Sequence, residues 1–372
     1  MNGNSSAFSG TRGNVVVDGG TIYASQDNRY VEVSNYGQVT VTNGGQINMP
    51  GTEWLNGLTN PGRLTVNNGE FVVGTLRISQ SGTSKASEIN LGKGGVIRAS
   101  TLRMDNNSKA VFAFNGGAFQ STSSGDGRNL FTTTASRWAN VAFTVGGKGA
   151  ILDASNGVNI WWDRPLVSDA AADGGLRKFG GGILVLRAAS TYNGPTVLES
   201  GRVQARVDHA IPDGTTLRLG GGADCKFTAS TYDSETPQRA TVQDLGRVEG
   251  SGTLDDMTAS SVTGAIAPVA GGTLEFLTLC ALSGDYEVAA GANGCSCLKV
   301  AAGQNISGLA VKLVNPAALD TDADRDAYKI LDAPNGYAGK LDAAAMPEMW
   351  HLRYAADGAY LCANKPFVMI VR

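Results

Sequence analysis

A short signature returns along the first half of the chain at intervals of roughly 25 residues. Alternating apolar positions lead into an Asn, Asp or Gly followed by Gly, and the alternation then resumes. It reads VVVDGGTI at 15–22, VTVTNGGQI at 39–47, LTVNNGEFVV at 64–73, INLGKGGVI at 89–97, FAFNGGAF at 112–119 and FTVGGKGAIL at 143–152. No other feature restricts the fold as strongly. Period-2 alternation makes a strand with one face in a core and the other outside. The turn glycines Gly20, Gly45, Gly69, Gly95, Gly117 and Gly147 are expected to supply positive φ where the chain bends sharply. One strand–turn–strand unit cannot bury its own apolar face, whereas stacked units close a core between them. The expected fold is therefore all-β: a right-handed parallel β-helix, a single-chain β-solenoid. Antiparallel hairpins in a sandwich or β-prism-like stack are the competing arrangement, because Asn-Gly also suits two-residue hairpin loops. Asn43, Asn67, Asn68 and Asn115 beside the glycines could stack as an internal amide ladder or serve only their own turns.

Composition agrees with stacked turns. Glycine reaches 50 of 372 residues without a matching rise in proline, so neither collagen nor a low-complexity linker fits. Hydrophobic residues at 42% can fill a continuous core, and charged residues stand at only 17%. A net charge of −3 gives no basic field for nucleic acid or anionic lipid. No apolar run is long enough for a transmembrane helix. The opening MNGNSSAFSG has neither the charged nor the apolar region of a signal peptide, so the expectation is a cytosolic chain or a mature or trimmed piece of a secreted one.

The most regular coil is GGLRKFGGGILVLRAASTYNGPTVLESGRVQA, starting at Gly174. Here Leu176, Lys178, Gly180, Gly182, Leu184, Leu186, Thr191, Tyr192, Gly194, Thr196, Leu198 and Gly201 follow one another in a pattern that resembles the autotransporter-associated β-strand repeat, also called the passenger-associated transport repeat. Three positions depart from that family: Ser190 replaces the Asn before Thr-Tyr, Leu198 a β-branched residue, and Val203 the last Leu. The apolar exchanges keep the inner face apolar, whereas Ser190 lacks an amide that could bond a corner. The likeness extends more weakly over roughly 140–372, and it implies a β-helix carried on, or released from, a bacterial cell surface. Autotransporters end in a membrane barrel of roughly 12 strands, which would need alternating ~10-residue strands. No such run is seen here, so self-export by this chain is not expected.

The organisation expected is 1–150 as irregular β-helix coils with an N-terminal cap, 151–290 as coils including the repeat at 174–206, and 291–372 as a terminal β region or cap, a short sandwich included. Cysteine occurs only late, at Cys225, Cys280, Cys295, Cys297 and Cys362. The odd number excludes complete internal pairing; the alternatives are small buried core residues, one to two disulfides, or metal binding, for which Cys295-Ser296-Cys297 lacks the spacing of a zinc knuckle.

No motif of known chemistry stands out. His209 lies in a predicted turn and His351 in a predicted strand, and neither stands beside a nucleophile. No P-loop, GxSxG or HExxH occurs, so no catalytic residue, cofactor or metal is assigned. The paired carboxylates or Lys/Arg base of polysaccharide-cleaving β-helices find partial counterparts in Asp255-Asp256 and Asp163-Arg164, outside any such family motif. Asp320, Asp322, Asp324 and Asp326 resemble the start of a calcium loop but lack its Gly and its final Glu. Trp161 and Trp162 offer flat faces for a sugar ring, or one core and one surface residue by alternation. The reading is a non-enzymatic bacterial surface or secreted β-helix, acting as adhesin or stalk, extracellular, with glycan or host-surface material as its expected partner. The alternatives are an extracellular polysaccharide-active β-helix and a scaffold that self-associates through uncapped ends.

Overall fold

A computed structural model of the chain describes residues 13–23, 30–33, 36–56, 61–79, 85–105, 107–123, 130–220, 224–231, 239–291, 294–319 and 328–364. Strands hold 57% of the chain and helix 3%, so the all-β class read from the alternation is the class adopted. Parallel coils stack into a β-solenoid of about 11 turns. The chain divides into two compact units, Met1–Val197 and Leu198–Arg372.

In the first unit, seven strands form one sheet in chain order: Asn14–Asp18, Gln38–Thr42, Arg63–Val66, Ser87–Gly92, Ala110–Asn115, Val141–Val145 and Leu166–Ser168. Every pairing is parallel. The register puts like on like. Val17, Val41, Val66, Leu91, Phe114 and Val145 form one row, and Val39, Leu64, Ile89, Phe112, Phe143 and Leu166 another. All of these side chains are buried. A one-residue slip would turn each row outward, so burial itself fixes the register. Past the corner a second sheet continues the pattern, with Ile22, Ile47, Phe71, Ile97, Phe119, Leu152 and finally Lys178 aligned in register. Parallel pairing excludes the hairpin arrangement, because each strand meets its equivalent one coil away.

The corners divide their work differently from expectation. Positive φ falls one step earlier than the repeat glycines, at Gly19, Gly44, Asn68, Gly94 and Gly116. Four of the repeat glycines, Gly45, Gly69, Gly95 and Gly117, are required by close approach instead, whereas a Cβ on Gly20 or Gly147 would meet nothing within 4 Å. A Cβ on Gly45 would lie 2.1 Å from the Val17 carbonyl oxygen, and one on Gly95 2.2 Å from that of Val66. The neighbouring coil passes so near that only a hydrogen fits. The asparagines at these corners are exposed, so they form no internal ladder, and the bonds of Asn43 and Asn115 run across to neighbouring coils. Asn43 donates to Asp18 Oδ1 at 2.8 Å, and the Asn115 side-chain oxygen accepts from the Lys148 N–H at 3.0 Å. The buried amides among the described residues are those of glutamines: Gln120 in the first unit, and Gln243 and Gln304 in the second. Gln243 accepts from Ile211 N–H and donates to the Val207 carbonyl, while Gln304 accepts from and donates to the backbone of Cys280.

The second unit repeats the plan. Leu217, Val248, Ile266, Tyr286 and Val311 align in one parallel row, and Leu274, Leu298 and Leu331 in another. Near its end the direction changes: Trp350–Ala355 and Gly358–Ala363 form an antiparallel hairpin whose second strand also pairs antiparallel with Tyr328–Asp332. None of the five cysteines is in a disulfide, and Cys225 and Cys280 are buried. Burial pushes the Cys280 thiol up to about 12 and those of Cys295 and Cys297 to about 11, which disfavours their thiolate forms at neutral pH.

The outer face of this unit carries a charge ladder. Arg247 grips Glu287 with two bonds of 2.9 and 2.7 Å and reaches Glu249 at 2.6 Å, and Arg218 meets Glu249 at 2.5 Å. The bonds from Arg247 hold the Glu287 carboxyl below its ordinary value of 4.5. A carboxylate depressed in the folded chain contributes stability above its unfolded value, and that contribution is lost as pH falls through the folded one. Arg247→Met is therefore expected to lower stability at pH 7 by about 1 kcal/mol, after screening at this half-exposed site. The difference from the parent chain should begin to shrink as pH drops below 4.5 and vanish once pH is below the depressed value of the folded chain. Urea unfolding at pH 7 and at lower pH checks this; a pH-independent difference would trace the effect to lost packing.

Candidate functional site

The residues of the family-like repeat build corners. Lys178 continues an apolar inward row and is 0% exposed, and its ammonium donates to the Gly180 carbonyl. A buried ammonium is tolerated only where such oxygens replace water. Gly180 itself has φ +83°. Leu176, Leu184, Leu186, Tyr192, Thr196 and Leu198 are buried, and Thr191 is exposed. The Tyr192 hydroxyl meets Thr196 Oγ1 at 2.5 Å, and burial pushes the phenol well above its ordinary value. Gly182 and Gly194 sit where a Cβ would meet backbone, at 2.6 Å from the Val158 oxygen and 2.3 Å from the Gly175 nitrogen. Gly201 turns with φ +74°. Ser190 compensates for the missing amide: its buried Oγ accepts from the Leu166 N–H at 3.3 Å. Asp173 closes the same corner by accepting from the N–H groups of Gly175, Asn193 and Gly194 at 2.7 to 2.8 Å.

Trp161 and Trp162 do not present the faces expected of them. They are 5% and 1% exposed. Trp162 sits among Phe114, Phe119, Phe131 and Phe143, with ring centroids 5.1 to 6.1 Å away. The guanidinium of Arg187 lies 5.3 Å from the Trp161 ring centroid and reaches Asp163 at 3.5 Å. Both rings are walled off, so neither can stack on a sugar. Simple alternation also fails, because the outward ring is roofed by a neighbouring coil's arginine. Arg164 lies over the rings of Phe131 and Trp138. Burial pushes the Asp163 carboxyl above its ordinary value against the pull of Arg187 and Arg164.

The other carboxylates read from the sequence are separated. Asp255 bridges to Lys226 at 2.6 Å, while Asp256 takes a left-handed backbone at the start of a short helical turn. Asp320, Asp322, Asp324 and Asp326 lie outside the described residues. A mixed row that the sequence did not disclose runs over the first unit: Arg77 joins Glu53 at 2.6 Å and Asp105 at 2.7 Å, and Arg103 joins Asp105 at 2.7 Å. Each carboxylate there is held by a guanidinium, which ties successive coils together.

A groove of about 350 Å³ opens at the coil corners of the first unit, lined by Tyr36, Gln38, Pro61, Arg63, Lys85 and Glu88 among others. The volume lies within the range of small-molecule sites. Tyr36 has φ +63°, its N–H donates to the Pro61 carbonyl at 2.9 Å, and it is 41% exposed. The Lys85 ammonium stands 5.1 Å from its ring centroid. Arg63 and Glu88, paired in register, bridge at 2.7 Å. Gln38 aligns with Arg63 on the other side. The groove thus brings together an aromatic ring, two cations, a carboxylate and an amide, with the Lys85 ammonium over the ring and Arg63 paired with Glu88. Its residues come from three coils, and only stacking brings them together.

No family model matches the chain, and no curated protein matches it. The repeat-like residues at 176–201 thus stand as a likeness in sequence, and the class defined by fold and site is a β-solenoid with a ligand-sized groove on its outer corners.

Proposed function

We propose that the chain is a non-enzymatic β-solenoid of a bacterial surface or secreted protein, a stalk or adhesin whose stacked coils hold an outer contact face in place. The observation that carries the reading is the groove of Tyr36, Arg63 and Lys85: Arg63 lies on a strand, and Tyr36 and Lys85 just before strands, whose register is fixed by continuous buried rows. The contact is with an acidic glycan: its pyranose face meets Tyr36 and its carboxylate the cations. The test is retention of the purified chain on a panel of immobilised glycans and mucins. Retention lost in Tyr36→Ala, with unchanged thermal unfolding, supports an adhesin. Absence of retention on every member removes the adhesin and leaves the stalk.

A second reading, a polysaccharide-active β-helix, draws support from the Glu53–Arg77–Arg103–Asp105 row. Paired carboxylates and arginines on one sheet face are what such chemistry uses. New reducing ends released from a soluble polysaccharide, and lost in Glu53→Gln, would overturn the non-enzymatic reading.

A further inference from the structure

His209, Asp213 and Asp244 converge in the second unit. One ligating atom from each lies within 4.8 Å of the others. Two of them come from the corner between Arg202–Ala205 and Thr216–Gly220, and the third opens the strand Asp244–Asp255 of the following coil. The backbone sets their positions. His209 N–H donates to the Val242 carbonyl and Gly214 N–H to that of Asp244, both at 2.8 Å, so the corner is bonded to the next coil at both ends. Thr215 Oγ1 closes back on the Pro212 carbonyl at 2.7 Å. A third coil orients the last ligand: Ser261 Oγ donates to Asp244 Oδ1 at 2.8 Å. The imidazole Nδ1 and Asp213 Oδ1 share a hydrogen bond of 2.7 Å. The neighbouring Asp208 is engaged elsewhere, by the Val242 N–H and by Arg239.

We propose that His209, Asp213 and Asp244 form a binding site for a divalent transition-metal ion of the Zn²⁺ class, which fastens the corner to the coil that follows. The donor set decides the ion. One imidazole nitrogen with two carboxylate oxygens suits Zn²⁺ and its neighbours, whereas Ca²⁺ and Mg²⁺ favour all-oxygen shells. Two carboxylates balance the ionic charge. A hydroxyl donor behind a ligating carboxylate is the outer support that metal ligands commonly have. His209 and Asp213 are about half exposed, which leaves the remaining coordination positions to water.

The experiment uses the full chain, stripped with chelator and dialysed, and titrated with ZnCl₂ by calorimetry. The expected result is uptake of one equivalent, a rise in thermal midpoint, and no comparable response to Ca²⁺ or Mg²⁺. His209→Asn keeps a residue that tolerates the left-handed backbone found there, φ +55°, and Asp244→Asn keeps the shape of the carboxylate. Both should fold, as judged by circular dichroism, and lose the uptake. The five thiols are the rival ligands, and Co²⁺ separates them. Nitrogen and oxygen ligation gives weak visible bands alone, and thiolate ligation adds intense near-ultraviolet charge transfer. Uptake that persists in both variants, charge-transfer bands, or no uptake by the parent chain would each overturn the assignment.

Discussion

Trp162→Ala is expected to destabilise the chain by about 3–5 kcal/mol, the range for emptying a large aromatic site in a packed core. The ring is the hub of an aromatic cluster. Phe131 and Phe143 stand 5.1 Å from it edge-on, Phe114 is 5.9 Å away and Phe119 6.1 Å. Phe112, Phe114 and Phe143 also belong to the in-register rows of the first sheet, so a cavity at Trp162 strips packing from several coils at once. Trp162→Phe should lose distinctly less, because most of the apolar volume stays. Urea unfolding followed by circular dichroism distinguishes the two. Equal midpoints for the parent chain and Trp162→Ala would mean that the cluster is not closed as described. The expectation also bears on binding assays: retention lost in Trp162→Ala reports a damaged core, whereas Tyr36→Ala changes the groove with the core intact.

Gly175→Ala should cost about 3 kcal/mol or more. A left-handed backbone costs a side chain about 1–2 kcal/mol, and overpacking adds about 1–3. Gly175 has φ +70°, and a Cβ there would lie 1.9 Å from the Pro195 oxygen and 2.7 Å from its nitrogen. Relief would require moving the backbone of the next coil. That backbone is pinned by Asp173, which holds the N–H groups of Gly175, Asn193 and Gly194. Gly181→Ala is the matched control, since nothing lies within 4 Å of its added methyl. It should stay within about 0.5 kcal/mol of the parent or gain slightly from reduced unfolded-chain freedom. Similar midpoints for both variants would refute the close approach of the coils.

The fold was legible in the sequence because it is written in repetition. Val41, Val66 and Leu91 occupy equivalent places in successive copies of the signature and meet in register. The repeated Asn-Gly and Gly-Gly steps marked the corners correctly, but not which residue took positive φ. That depends on how close the next coil lies, as Gly45 and Gly95 show. Trp161 and Trp162 were misjudged for a related reason. Alternation tells which way a side chain points, and says nothing about an Arg187 arriving from the coil above to cover it. The groove and the His209 cluster were invisible for a third reason. Tyr36, Arg63 and Lys85 are scattered along the chain, as are His209 and Asp244, and each alone is an ordinary surface residue. The solenoid sets residues one coil apart side by side, and no local pattern records that neighbourhood.

The same register governs how such a chain can change length. A single residue added inside Ser87–Gly92 would turn Ile89 and Leu91 outward and break two rows at once. A whole coil removed between equivalent positions, such as Leu64 to Ile89, would rejoin like with like. Tolerated insertions and deletions therefore come as complete coils or as extra residues at corners. Lys178 travels with its own coil in such a change, because the carbonyl that takes its buried ammonium, that of Gly180, lies two residues further along the same coil.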